Sequence, residues 1–86
     1  MTKDFIIENV KAGDMLTAYD QDDGTIAHQW IVLENYYDDV RRLGFINVFV
    51  MYTQSPWSQQ EKSHSCYYDT FKRYRKKMDW SLQHVS

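Results

Sequence analysis

The alternation of hydrophobic and polar residues predicts short strands in the first part of the chain. Residues 5–10 form a short apolar run, which predicts an entering strand. The acid-rich segment 20–24 ends in Asp-Gly, the pair that best accepts the backbone of a tight hairpin turn. The flanking segments 13–20 and 25–35 have extended patterns, so we predict that they pair as a β-hairpin around this turn.

Residues 45–53 give the clearest strand signal in the chain. Both sets of alternate positions are largely hydrophobic, which predicts a central strand that is covered on both faces. A polar connection over 36–44 leads into this strand, and a long polar loop over 54–63 follows it. The pattern of residues 64–68 predicts a last short strand. With the segments 5–10, 13–20, 25–35 and 45–53, it makes five predicted strands.

A helix is predicted over residues 70–78. Phe71, Tyr74 and Met78 recur at helical spacing, and Asp69 stands where an N-cap residue is expected. The cations of this segment lie toward its C-terminal end, where the helix dipole favours them. We therefore expect a mainly β fold: a small five-stranded barrel or a bent antiparallel sheet, with a C-terminal helix.

A second interpretation stays open for residues 26–43. One face of an amphipathic helix would collect the hydrophobic residues Ile26, Trp30, Leu33, Tyr37 and Val40. Gly44 would then end this helix as a C-cap. The same window is rich in β-branched, Asn, Asp and Tyr residues, which are middling to poor helix formers. We prefer the hairpin, and an α+β fold with a helix at 26–43 is the alternative.

Length and composition narrow the class of protein. The chain has 86 residues, of which 43% are hydrophobic and 26% charged, so we expect one globular domain over 1–86. It has no apolar run of about 18 residues and no signal-type segment, so we expect no membrane span and a cytoplasmic location, in the cell or in a host cell. The single cysteine, Cys66, cannot form a disulfide within the chain.

Three constellations were candidates for chemistry. Residues 20–24 resemble the opening of a calcium loop, but the twelfth position of that loop lacks the required glutamate. His64 and Cys66 would share one face of a strand, an arrangement that can generate a thiolate, yet no strong third group orients them. No zinc-ligand spacing links the three histidines, His28, His64 and His84. We therefore predict no catalytic residue, no metal site and no cofactor.

The charges are distributed unevenly along the chain. Residues 1–39 hold nine acids and two bases, whereas residues 40–86 hold eight bases and three acids. Five cations surround Tyr74 within six residues: Lys72, Arg73, Arg75, Lys76 and Lys77. Nucleic-acid-binding sites combine cations, which contact phosphates, with aromatic rings, which stack on bases. The net charge of −2 argues against this function, because dedicated nucleic-acid-binding domains are usually basic. A nucleic-acid-binding module that uses residues 72–77 is therefore the alternative function.

Residues 10–16, Val-Lys-Ala-Gly-Asp-Met-Leu, have the hydrophobic-x-x-Gly-Asp-x-hydrophobic pattern that opens small Src-homology-3-like barrels. An acidic turn and His-Gln-Trp-Ile-Val-Leu at 28–33 follow in a similar order. Over residues 10–53 the chain resembles small phage-encoded barrel proteins of this kind, and it departs from them in the 54–63 loop and the basic segment. The resemblance implies a strand-rich barrel that acts by binding and has no catalysis of its own.

Aromatic residues make up 16% of the chain, with seven Tyr, four Phe and three Trp. A domain of this size cannot bury all of them, so we expect an exposed cluster that contacts a partner. We predict a non-enzymatic binding protein whose partner is a larger protein, in the manner of a phage-type modulator or inhibitor of a host protein. The predicted partner-binding residues are Trp57, Tyr67, Phe71 and Tyr74.

Overall fold

A computed structural model describes residues 2–54, 62–73 and 77–84. The elements follow one another as α1 (Lys3–Asn9), β1 (Met15–Asp20), β2 (Ile26–Asp38), β3 (Leu43–Thr53), β4 (Ser63–Tyr67), α2 (Tyr68–Lys72) and β5 (Met78–Gln83). The five strands form one antiparallel sheet in the order β4-β3-β2-β1-β5. Because β4 and β5 lie at opposite edges, the sheet is not closed. Of the two mainly β forms that the sequence predicted, the bent antiparallel sheet is confirmed.

The predicted hairpin is confirmed, and the alternative helix at 26–43 is wrong. β1 pairs with β2 from Met15 opposite Ile31 to Tyr19 opposite Ile26. In the turn between them Gly24 has a φ of +74°, which glycine adopts without strain. An acid of this segment stabilises the turn: Asp20 Oδ1 accepts the Asp22 N–H at 2.8 Å. The β-branched and polar residues of 26–38 therefore form a long strand.

β2 is thirteen residues long and carries two irregularities in its pairing with β3. One lies between Gln29 and Trp30, and the other between Val32 and Glu34. Such bulges bend a strand and increase its twist. The predicted connection over 36–44 shrinks accordingly, because β2 continues to Asp38 and β3 begins at Leu43.

The prediction of a strand over 5–10 is wrong, because these residues belong to α1. The Thr2 side chain accepts the Phe5 N–H at 3.1 Å and caps the helix, and Asp4 places a negative charge in its first turn. Ile6 and Val10 are four residues apart, and both are buried in the core. The periodicity of a short apolar run does not distinguish a strand from a buried helix. The N-cap at Thr2 is the local feature that favours the helix here.

The prediction of a helix over 70–78 is also wrong. α2 ends at Lys72, its N-cap is Tyr67 rather than Asp69, and Met78 begins β5. The alternation of Met78, Trp80 and Leu82 carries these side chains to the core side, opposite β1. β5 thus supplies the fifth strand that the 5–10 segment does not.

Both helices pack on the same face of the sheet. Asn35 of β2 donates to the carbonyls of Ile7 and Val10 at 2.9 and 3.0 Å, which fixes the end of α1. Phe71 of α2 packs edge-on against Trp80, with ring centroids 4.9 Å apart. Between the helices and the sheet lies the buried core, which includes Leu16, Trp30, Val32, Ile46 and Val48.

Within residues 2–54, 62–73 and 77–84, β3 is covered on one face only, so the prediction of a strand covered on both faces is wrong for the part that the structure describes. Ile46 and Val48 are buried beneath the helices, whereas Phe49 is 40% and Met51 52% exposed. The central strand of the sheet is β2, which has two strands on each side. The hydrophobic residues Phe49 and Met51 thus lie outside the buried core.

Candidate functional site

The sheet has an open face, on the side opposite the two helices. Residues that stand opposite one another in an antiparallel sheet share a face, so the register assigns its side chains row by row. Three rows make up what we call the open face: Tyr36, Phe45 and Tyr67; Glu34, Asn47 and Ser65; and Met15, Ile31, Phe49 and Ser63. Among the residues that the structure describes, neither helix packs on this face.

The first row is aromatic and crosses three strands. Tyr36 and Phe45 have ring centroids 5.3 Å apart, and Phe45 meets Tyr67 edge-on at 6.4 Å. Tyr36 is 47% and Tyr67 53% exposed. Contacts between aromatic rings on neighbouring strands stabilise a sheet, but they also form a continuous flat surface when one side of the rings faces water.

The second row separates this aromatic surface from a third, apolar row. Ser65 Oγ donates to Asn47 Oδ1 at 2.5 Å, so part of the polar row is already paired within the sheet. The third row contains Phe49, the exposed phenylalanine at the centre of β3. Two apolar rows with a hydrogen-bonding row between them resemble the mixed surfaces by which proteins recognise one another.

A cavity of about 190 Å³ lies at the end of the sheet where the β2–β3 turn meets α2. It is lined by Tyr37, Arg42, Leu43, Gly44, Tyr67, Tyr68, Asp69 and Lys72. The Tyr68 ring packs directly on the backbone of Gly44 and stacks with the Tyr37 ring, at 6.3 Å and 11° between planes. The Tyr68 hydroxyl donates to Asn35 Oδ1, which ties the cavity wall to α1. Burial and the neighbouring Tyr37 raise the pKa of Tyr68.

Tyr67 connects the cavity to the open face. It stands opposite Phe45 in the aromatic row, and it also lines the cavity as the residue that precedes α2. Of the four predicted partner-binding residues, Tyr67 is the one that the structure shows exposed. Phe71 is 1% exposed within the core, so its ring does not reach a partner. Trp57 and Tyr74 lie outside the described residues.

The predicted basic segment is not one helical face. Lys72 ends α2, and its Nζ lies 3.1 Å from Asp4 Oδ1. Arg73 is exposed just after the helix, and Lys77 is exposed just before β5. Arg75 and Lys76 lie outside the described residues.

Cys66 is buried, and its environment opposes the chemistry of a nucleophile. Burial raises the pKa of its thiol to about 11, although the charge of Lys3 acts in the opposite direction. The thiol Sγ lies 3.7 Å from the Tyr67 carbonyl, to which it donates. The reactive form of a cysteine is its thiolate, and a thiol with a pKa this high is protonated at neutral pH. Cys66 is therefore a core residue and not a nucleophile that is poised to react. Within the described parts of the chain, no three ligand-type side chains cluster in a way that could hold a metal ion.

A buried carboxylate lies at the other end of the fold. Asp14 is 1% exposed; its Oδ2 accepts the Lys11 N–H at 2.8 Å, and its Oδ1 lies 3.0 Å from His84 Nδ1. Burial alone raises the pKa of this carboxyl, but the Lys11 hydrogen bond and the contact with His84 outweigh burial, so the pKa lies below its usual value. Gly13 precedes it with a φ of +93°, so the Gly-Asp pair singled out in the sequence forms a tight structural turn.

Sequence reasoning missed most of the open face. The alternation of Phe45 and Phe49 predicts a second buried face, whereas Phe49 is 40% exposed. Tyr36 falls in the predicted connection over 36–44, whereas the structure places it in β2. Arg42 was not singled out, because the cavity forms only when the β2–β3 turn and α2 meet.

The chain matches none of the protein-family models, curated proteins or solved structures with which it was compared. None of the helices in the described ranges is long and apolar enough to cross a membrane.

Proposed function

We propose that this protein is a non-enzymatic binding protein that docks a larger protein partner on its open face. The observation that carries the proposal is the exposure of Tyr36, Phe49 and Tyr67 on the sheet face opposite the helices. Aromatic residues are enriched in protein interfaces, where a few of them carry most of the binding energy. Phe49 and the aromatic row supply such anchors on a rigid sheet.

The charges of the open face favour a protein over nucleic acid. Its three rows contain the carboxylate of Glu34 and no Lys or Arg. A surface that stacks bases needs cations beside the rings for the phosphates, and an acid among the rings repels them. Neutral polar groups such as Asn47 and Ser65 instead suit hydrogen bonds at a protein interface.

The resemblance to small phage-encoded barrel proteins is the ground for proposing that the partner is a larger host protein which this chain modulates. Nucleic-acid binding by residues 72–77 remains the alternative, and it has a separate signature. Its affinity for generic DNA or RNA would fall steeply with salt concentration, because binding releases counterions.

Two exposed phenylalanines provide a matched test. Phe49 lies on the open face and is 40% exposed, whereas Phe5 lies on α1, outside the open face, and is 48% exposed. Proteins would be isolated from a cell extract on three immobilised chains: wild type, Phe49→Ser and Phe5→Ser. Any protein retained by wild type would be purified, and its affinity for all three chains measured by calorimetry.

We expect Phe49→Ser to weaken this affinity at least about 30-fold, the effect of losing a hot-spot residue worth about 2 kcal/mol, and Phe5→Ser to change it less than about threefold. Equal affinities of wild type and Phe49→Ser would contradict the proposal. Salt-sensitive binding to generic DNA or RNA that survives Phe49→Ser would favour the alternative.

A further inference from the structure

We infer that the cavity between the β2–β3 turn and α2 receives the carboxylate of an aspartate or glutamate side chain of the docked partner. The inference rests on the proposed function for the identity of the partner as a protein. The carboxylate-binding property of the cavity belongs to this chain alone and can be measured without the partner.

The size of the cavity suits a side chain rather than a single ordered water. Its volume of about 190 Å³ compares with the roughly 10–15 Å³ that one water molecule needs on the same measure. Because Tyr67 belongs both to the aromatic row and to the cavity lining, a segment lying on the open face can extend a side chain into the cavity.

The charges that line the cavity favour one negative charge. Arg42 and Lys72 are the two bases of the lining and Asp69 is its one acid, so a single carboxylate balances them. Lys72 also forms an ion pair with Asp4. Both side chains of this pair are largely exposed, so the ion pair is weak and leaves Lys72 able to interact with a ligand. A phosphate dianion would leave an excess of negative charge next to Asp69.

Of the two cations that line the cavity, Arg42 is the one with no ion pair to a described residue. Its neighbour Arg41 pairs with Asp38 at 3.9 Å, whereas no acid within the described residues pairs with Arg42. A guanidinium presents parallel N–H groups that match the two oxygens of a carboxylate. The cavity therefore offers a free donor with the geometry that carboxylates require.

The backbone at Arg42 is a second, independent observation. Its φ of +54° places it in the left-handed region, where glycine, asparagine and aspartate are favoured and arginine is uncommon. Non-glycine residues in strained conformations cluster at binding sites, where the surrounding structure holds the backbone in place. A turn without a binding role would be more stable with glycine at this position.

One wall of the cavity is aromatic, and the cavity is open to solvent. The rings of Tyr37 and Tyr68 stack beside it, and the absence of a side chain at Gly44 lets the Tyr68 ring come close to the backbone. Tyr37 is 50% exposed and Arg42 is exposed too, so water reaches the site and screens the ion pair that we infer, in keeping with weak binding of a single small carboxylate.

The test uses two small probes that differ only in charge: N-acetyl-glutamate α-amide, and its neutral glutamine counterpart. Each is titrated into the labelled protein, and NMR shifts are followed for the Arg42 side chain and for the backbone amides of Gly44 and Tyr68. We expect saturable shifts with the glutamate probe and a Kd on the order of 1 mM, as its size allows. The glutamine probe and inorganic phosphate should each bind at least about tenfold more weakly.

Two variants with the same change of charge complete the test. Arg42→Gly should raise the Kd for the glutamate probe at least tenfold. The variant should stay folded, because glycine readily adopts the local backbone conformation. Arg41→Gly should leave the Kd for the probe within about twofold. The inference is overturned if no saturable shift occurs up to about 50 mM probe, if the glutamine probe or phosphate binds as well, or if Arg42→Gly retains the Kd.

The same variants separate this inference from the proposed function. Phe49→Ser should bind the glutamate probe with an unchanged Kd but should no longer bind the protein partner. Arg42→Gly should bind both the probe and the partner more weakly. Probe binding without any effect of Phe49→Ser on the partner would refute the docking face but leave the carboxylate site standing. Loss of the partner through Phe49→Ser, without probe binding, would refute the carboxylate site alone.

Discussion

The contact between Tyr68 and Gly44 makes Gly44→Ala a severe change for a single methyl group. A Cβ at this position would lie inside van der Waals contact of three Tyr68 ring atoms, Cε2, Cδ2 and Cζ. The ring cannot move freely, because its hydroxyl donates to Asn35 and the ring stacks with Tyr37. Either the ring is displaced, with loss of these contacts, or the backbone of β3 moves away from α2.

The size of the effect follows from these contacts. Inserting a methyl group into a packed site costs about 1–3 kcal/mol, and a lost hydrogen bond adds about 1 kcal/mol. Replacing glycine by alanine in a strand returns about 0.5–1 kcal/mol. We therefore expect Gly44→Ala to lower the free energy of unfolding by about 2 kcal/mol, and the melting temperature by about 10 °C for a domain of this size.

A double-mutant cycle tests the cause as well as the magnitude. Urea unfolding would be measured for wild type, Gly44→Ala, Tyr68→Ala and the double variant. If the ring is responsible, Gly44→Ala costs nothing in the Tyr68→Ala background, and the coupling energy is about 2 kcal/mol. A single variant within about 0.5 kcal/mol of wild type, or the same penalty in both backgrounds, would refute this account of the packing.

Three further predictions concern single side chains. Asp14→Ala should lower the free energy of unfolding by about 2 kcal/mol at pH 7, because the Lys11 N–H loses its charged acceptor. The pKa of Asp14 in the folded protein lies below its ordinary value of 3.8, so the contribution of its charge is full above that value and is lost as the pH falls through the folded pKa. The difference in unfolding free energy between wild type and variant should therefore shrink as the pH is lowered below 3.8, and a constant difference would contradict this. Cys66→Ser should cost about 1–2 kcal/mol but leave partner binding unchanged, and loss of binding in a folded Ser variant would contradict a purely structural role. Arg42→Gly should raise the free energy of unfolding by about 0.5 kcal/mol in the same assay, whereas a decrease would show that the left-handed backbone is not strained.

The fold was predictable where a local signal has one physical meaning. The Asp23-Gly24 turn and the alternating residues beside it determine a hairpin, and β1 and β2 confirm it. The 5–10 run and the 70–78 segment failed because their apolar spacings fit more than one element. Which of them becomes a strand depends on the outer edge of β1, which pairs with Met78–Gln83 and not with residues near α1. That pairing joins residues far apart in the sequence, and no local pattern determines it.

The candidate site shows a different limit. Phe45 and Phe49 are as hydrophobic as buried residues, and a sequence does not say whether a face is covered by a helix of the same chain or by another molecule. Tyr67 was singled out with Phe71, four residues further on, yet one is exposed and the other is in the core. The change from β4 to α2 between them reverses the direction of the side chains. The cavity at Arg42 depends on the meeting of two separate segments, so the sequence alone gave no signal for it.

The central claim is that the open face is where the partner binds, and solvent protection of its rings tests that claim most directly. Hydroxyl-radical footprinting would measure the oxidation rates of Tyr36, Phe49 and Tyr67 in the free protein and in the complex, with Phe5 as the exposed control. The account predicts that oxidation of the three open-face rings falls several-fold in the complex while that of Phe5 is unchanged. Protection of Phe5 together with unchanged oxidation of Tyr36, Phe49 and Tyr67 would contradict it.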